Sequence, residues 1–277
     1  MNPFDFNVSL EDMDAGLEPF EDFDITESDR QIFKHLAQDA ILHDLENKNA
    51  EHLRLILKLA KLRNIYDGLY YVTDKTVNRT VNKALFTLGV NADLNWINVS
   101  EVTTLSGTFS RRNCNPDVSR WDTSNVINTN AMCRDNLNFN CPLNDWDMSH
   151  VVSMNSMFRN AKSFNQPLDK WDTSHVQYTQ YMFQNAETFN QPLNNWDVSN
   201  IINCTEMFDN AKEFNQPLDK WDLKSAECIN DMFSYASKFN QDISGWKLPL
   251  FSYHSLYRGF IFFRCPIKPE FIPKKIL

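Results

Sequence analysis

Five aspartates, Asp122, Asp147, Asp172, Asp197 and Asp222, stand 25 residues apart, and a serine follows two positions after the first four, as Ser124, Ser149, Ser174 and Ser199. If successive units stack, these carboxylates lie about 4.8 Å apart. That is close enough to raise one another's pKa values or to recruit calcium. The same D-x-S spacing lets an aspartate accept backbone N–H bonds at a turn, which is the plainer expectation. His150 and His175 share a second position, one unit apart, as two metal ligands could. Asn125, Asn200 and Ser225 fill that position elsewhere, so an exposed polar site is expected there. The serines are too regular to supply one nucleophile, and no His-Asp pair is placed beside any of them. With only six glycines in the chain, no glycine-rich phosphate loop is present. Neither a catalytic residue nor a cofactor is expected.

What positions these residues is a repeat. FNQPLDKWD occurs at Phe164–Asp172 and again at Phe214–Asp222, with FNQPLNNWD between them at Phe189–Asp197. Tryptophan stands at 121, 146, 171, 196, 221 and 246. With Trp as column 1, Met fills column 12 (Met132, Met157, Met182, Met207, Met232), and Phe158, Phe183, Phe208 and Phe233 fill column 13. Column 19 is Phe139, Phe164, Phe189, Phe214 and Phe239, followed in column 20 by Asn in every turn. A degenerate earlier turn is read in INVSEVTTLSGTF, with Ile97 in place of Trp.

A 25-residue unit is too short to enclose this apolar set, so each must lean on its neighbours. Stacking gives each large side chain roughly 1.5–3 kcal/mol of burial against its ordering entropy. Columns 6, 9, 13 and 16 have the spacing of one helix face, and columns 23, 1 and 3 place Leu, Trp and a third side chain inward. The fold class expected is an α/β repeat solenoid with one short parallel strand and one helical turn per repeat, preceded by an α-helical region. The column 20 asparagines are expected to form a buried ladder.

Four segments follow: an acidic flexible leader at 1–27, a helical cap at 28–93, the repeats at 94–246 and an aromatic C-terminal cap at 247–277. Ser28 and Gln31 have capping-box spacing ahead of an apolar series at Ile32, Phe33, Leu36, Ala40, Ile41 and Leu45. Asn49 starts a second helix with Leu53, Ile56, Leu57, Ala60 and Ile65 on one face, and a third is predicted from about Asp74 to Leu88, stopped at Gly89 in the left-handed conformation. Phe251, Tyr253, Tyr257, Phe260 and Phe263 are expected to seal the last turn.

The net charge of −9 resides in the leader, because residues 1–29 carry ten acids and no base, leaving 26 acids against 27 bases. No basic cluster suggests nucleic acid, and no apolar run reaches the length of about 18 residues that a membrane span needs. Six cysteines, none in a CxxC pair, read as core thiols in a reducing compartment. The N-terminus lacks the pattern of a secretory signal. A cytoplasmic or non-classically exported protein is expected.

FNQPLNNWDVSNIINCTEMFDNA, at Phe189–Ala211, matches the signature FNQPLxxWDVSNVxxMxxMFxxA. On this stretch the chain resembles the BspA-type leucine-rich-repeat family in its 25-residue Mycoplasma form, a domain of unknown function. The resemblance covers about Leu94 to Trp246. It implies a leucine-rich-repeat-like solenoid that recognises other proteins, in a family whose members are often bacterial surface proteins implicated in adhesion. The function expected is a non-enzymatic protein–protein interaction module, acting as a monomer on a protein partner through His150, His175, Tyr178 and Tyr181. The alternative is a calcium-dependent or structural surface adhesin using the aspartate column.

Overall fold

The computed structural model describes residues 27–62, 66–249 and 261–276. Nearly all of the leader, together with Ile65, Phe251, Tyr253, Tyr257 and Phe260, lies outside them. Helix α1 (Glu27–Asn47) and helix α2 (Ala50–Leu62) come first in the chain. Lys48 turns the corner at φ 59°, and Asn49 Oδ1 accepts the His52 backbone N–H at 3.3 Å, satisfying one free amide of the helix start. Helix α1 buries Phe33, Ala37, Ile41 and Leu45, while Ile32 is 55% exposed, so the buried stripe is centred one residue later than Ile32, Leu36 and Ala40. The fully buried Asp44 pairs with His52 Nδ1 at 2.8 Å across the hairpin.

Helix α3 (Val77–Leu88) starts three residues after Asp74, whose carboxylate instead accepts Thr103 N–H at 2.7 Å, Thr103 Oγ1–H at 2.6 Å and Thr104 N–H at 3.1 Å. Burial works against the Asp74 charge, but these bonds outweigh it and hold the carboxyl below its ordinary value. They tie the helical region to the first repeat. Gly89 ends α3 at φ 108° and ψ 161°, outside the left-handed helical well but in territory open to glycine. Strand β1 (Tyr70–Tyr71) then pairs in parallel with β2 (Ile97–Asn98).

Ile97, buried, holds the tryptophan position of the first turn as expected, its N–H bonded to Leu94 O at 3.0 Å as Trp121 N–H is to Val118 O at 3.2 Å. Trp96 is fully buried beside it. This first turn is one residue shorter than the later ones, because Phe109 N–H reaches Met132 O 23 positions on at 2.8 Å, whereas Cys133 N–H reaches Met157 O 24 positions on at 2.9 Å.

Parallel bridges join Thr104 to Asn128 and onward through Ser153, Tyr178, Asn203 and Cys228, one residue per turn. They fall on column 8. Columns 23, 1 and 3 do point inward as expected, but in the middle turns they fold as turns, with Trp146 N–H bonded to Leu143 O at 3.1 Å and no strand pairing. Their link between turns is the indole: Trp146, Trp171, Trp196, Trp221 and Trp246 each donate Nε1–H to the column 23 carbonyl 28 positions earlier at 2.7–3.0 Å.

The expected helical segment keeps its buried face but not its conformation. Columns 11 and 15 take positive φ in every turn, as in Ser156 (57°), Asn160 (58°), Tyr181 (60°) and Asn185 (57°), and a right-handed helix cannot pass through them. Each such residue costs about 1–2 kcal/mol. The compensation is geometric. Amides of columns 9, 11, 13 and 15 turn toward the next unit, as Thr179, Tyr181, Phe183 and Asn185 donate to Asn203, Thr205, Met207 and Asp209 carbonyls at 2.9–3.0 Å. The intervening amides close local turns, Met182 to Thr179 and Gln184 to Tyr181. An α-helix would spend all of these donors internally and leave none for the neighbour.

Aromatic rings fill the interior. Phe158, Phe183, Phe208 and Phe233 stack with centroids 5.4–5.7 Å apart, and Phe139, Phe164, Phe189, Phe214 and Phe239 stack at 5.9–6.2 Å. These are offset-stacking distances. The column 20 asparagines do form a ladder, each Oδ1 accepting the N–H of its counterpart one turn on at 2.9–3.0 Å, but at the surface, with Asn165 exposed. At the C-terminal end Phe233 N–H bonds Ile261 O at 2.9 Å and Phe262 continues the phenylalanine stack at 5.8 Å, so this segment copies part of another turn. Phe262 does the sealing expected of Phe263, which is 37% exposed and meets the Tyr235 ring edge-on.

Candidate functional site

The aspartate column is used by its own turns. Oδ1 of Asp122, Asp147, Asp172 and Asp197 accepts the serine N–H two residues on at 2.9–3.1 Å, and Asp222 accepts that of Lys224 at 3.2 Å. The Ser149 hydroxyl and amide hold Asp147 below its ordinary pKa, and the Ser174 amide and hydroxyl do the same for Asp172. This is opposite to the shift that stacked, repelling carboxylates would give. Hydrogen bonds to the charged form win because solvent screens charges on an exposed edge. His150 and His175 sit exposed at the same corner, each Nδ1 3.3 Å from the preceding serine hydroxyl. Among the described residues no group of three or more His, Cys, Asp or Glu side chains is disposed to hold a metal ion.

All six cysteines are free, and Cys114, Cys133, Cys141 and Cys204 are buried. Burial pushes the Cys141 thiol up to about 11 and the Cys204 thiol to about 12, so thiolate chemistry is suppressed.

Tyr178, on the bridge ladder, and Tyr181, three residues on, lie elsewhere on the turn, and both are half-buried. Tyr181 takes its left-handed conformation in column 11, and the Arg159 guanidinium stands 5.3 Å from its ring centroid. The structure thus separates the two histidines from the two tyrosines and gathers other residues around the latter. Column 14, which varies as column 11 does, carries Arg134, Arg159, Gln184, Asp209 and Ser234; column 11 carries Ala131, Ser156, Tyr181, Glu206 and Asp231. Comparing columns for variation would have found column 14, but its letters lie inside the stretch read as helix.

At the centre of this face Gln184 is 6% exposed and donates Nε2–H to Glu206 and, at 2.9 Å, to Asp209 Oδ2. Burial, with the nearby Asp209 and Asp231 charges, raises Glu206 above its ordinary pKa. Asp209 is raised chiefly by burial, which outweighs the Gln184 bond. Arg159 pulls both down without an ion pair to either. The buried Nε atoms of Arg112 and Arg159 and the Oε1 of Gln184 have no hydrogen-bond partner, whereas Arg134 Nε lies 3.3 Å from Asp135 Oδ2.

The family described as Mycoplasma protein of unknown function, DUF285, matches residues 77–191 and 166–255. The chain belongs to this family. The two matches together take in α3, every tryptophan turn and the start of the C-terminal segment. No curated protein and no solved structure matches the chain. In this DUF285 chain, among the described residues, no helix is long and apolar enough to cross a membrane.

Proposed function

We propose that the chain is a non-enzymatic protein-recognition module, a leucine-rich-repeat-like solenoid of the BspA type that offers its ladder face to a protein partner. One observation carries the reading. Columns 1, 12, 13 and 19 repeat almost unchanged and are buried, whereas columns 11 and 14 change chemistry from turn to turn and lie side by side, Arg159 against the Tyr181 ring and Gln184 bonded to Glu206 and Asp209. A fixed interior under a variable, partly exposed surface is what a display scaffold requires. Tyr178 and Tyr181 supply apolar area with a polar tip, and Arg159, Glu206 and Asp209 supply charge for register.

The aspartate column is assigned to building turns, and α1 to α3 to covering the first turn through Asp74 and β1. Affinity capture from cells, comparing wild type with the double variant Tyr178→Ala/Tyr181→Ala, tests the surface. A partner held by this face should be lost by roughly tenfold or more while the melting midpoint of the module is kept. Undiminished capture removes these residues from the binding surface.

A further inference from the structure

On the exposed rim the charges alternate from turn to turn. Lys162, Glu187 and Lys212 occupy one column, with Glu187 bonded to both lysines at 2.9 and 3.0 Å. On the ladder face they do not alternate. Arg134 and Arg159 occupy the two turns before Tyr181, and Glu206 with Asp209, then Asp231, occupy the two turns after it. In the basic rows the Arg159 Nε has no hydrogen-bond partner, and the acidic rows crowd carboxyls whose protonation burial and mutual repulsion favour. Read outward from the Tyr181 turn, the face is antisymmetric in charge: Arg159 mirrors Glu206 and Asp209, and Arg134 mirrors Asp231. The outermost charges are met within the chain, Arg111 and Arg134 by Asp135 at 3.8 and 3.3 Å, and Arg264 by the Tyr235 and Phe263 rings.

We propose that the ladder face binds a second copy of this chain, antiparallel, about a two-fold axis through the Tyr181 turn. A two-fold operation brings each row onto its mirror row, so Arg159 of one copy meets Glu206 and Asp209 of the other, twice per interface. No unrelated partner is needed to satisfy both charge blocks, and the tyrosines fall at the centre, where aromatic anchors contribute most. This partner replaces the monomer expected from sequence, and it rests on the reading of the ladder face as the recognition surface.

Sedimentation equilibrium of the full chain, up to about 100 µM at roughly 0.05 M and 1 M salt, reads the association directly. Dimer that weakens with salt is expected. Arg159→Glu alone and Glu206→Arg alone should each raise the dissociation constant by about 30-fold or more. Mixing the two variants should restore a heterodimer, because Glu at 159 on one chain then faces Arg at 206 on the other, while both remain folded by melting midpoint. A wild-type chain that stays monomeric throughout, or a dimer indifferent to both swaps, overturns the proposal. In the monomeric case, loss of partner capture on substituting Tyr178 and Tyr181 would still stand, which separates failure of self-association from failure of the recognition surface.

Discussion

The helical region and the repeats reach order by opposite routes. In α1 to α3 the backbone satisfies itself within each helix, and the pieces are joined by a shared apolar core and by polar contacts that each occur once, such as Asp44 with His52 and Asp74 with Thr103. In the repeats, alternate amides look to a residue 24 positions on, and the same indole, phenylalanine and asparagine contacts recur in turn after turn. Helices can begin before they dock; a lone repeat has neither its hydrogen-bond acceptors nor its second aromatic layer. The comparison teaches that the 25-residue period is a hydrogen-bonding requirement as well as a packing one.

The sharpest way to break the symmetry of the stack is Phe183→Ala. Phe183 lies against Phe158, Phe208 and, at 4.0 Å, Phe189, so its loss opens a cavity shared by three turns. A destabilisation of about 3–5 kcal/mol is expected in denaturant melts. Hydrogen exchange should quicken in the turns on both sides and leave α1 and α2 unchanged; uniform quickening would mean that the two regions unfold as one unit. Next in size is Asn185→Ala, which puts alanine at φ 57° and removes the amide link to Asn160. It should cost about 1–2 kcal/mol, with Asn185→Gly recovering part of it; equal losses for both would show that the side-chain ladder outweighs backbone strain.

The smallest effect concerns pH. Glu206 and Asp209 have raised pKa values in the fold, so the native state binds more protons than the unfolded chain, and their contribution to stability falls as pH climbs from the ordinary carboxyl range through the raised values. Asp147 and Asp172 act oppositely, contributing above the ordinary range and losing that contribution as pH drops through their lowered values. Glu206→Gln should therefore raise the melting midpoint of the dilute monomer by a few degrees at pH 7 and leave it nearly unchanged near pH 4. A midpoint that falls at pH 7 would mean that Arg159 compensates the acidic rows within the chain.

Much of this was legible in letters. The period, the buried columns, the helix hairpin and the aspartate turns all follow from residue type and spacing, because burial and local capping are short-range demands that a sequence states directly. The first turn was legible too, since Ile97 keeps the spacing of the later columns to Val102, Leu105 and Phe109. The conformation between columns 6 and 16 was not legible. Its buried face has helical spacing, and Ser156, Tyr181 and Glu206 advertise no left-handed preference; only an acceptor on the next turn makes that conformation worth its strain. The segregation of Arg134 and Arg159 from Glu206, Asp209 and Asp231 likewise has meaning only once residues far apart in the chain share one face. Sequence by itself determined what must be buried and how often. The tertiary stack decided which backbone conformation buries it, because the hydrogen bonds that select that conformation exist only between turns.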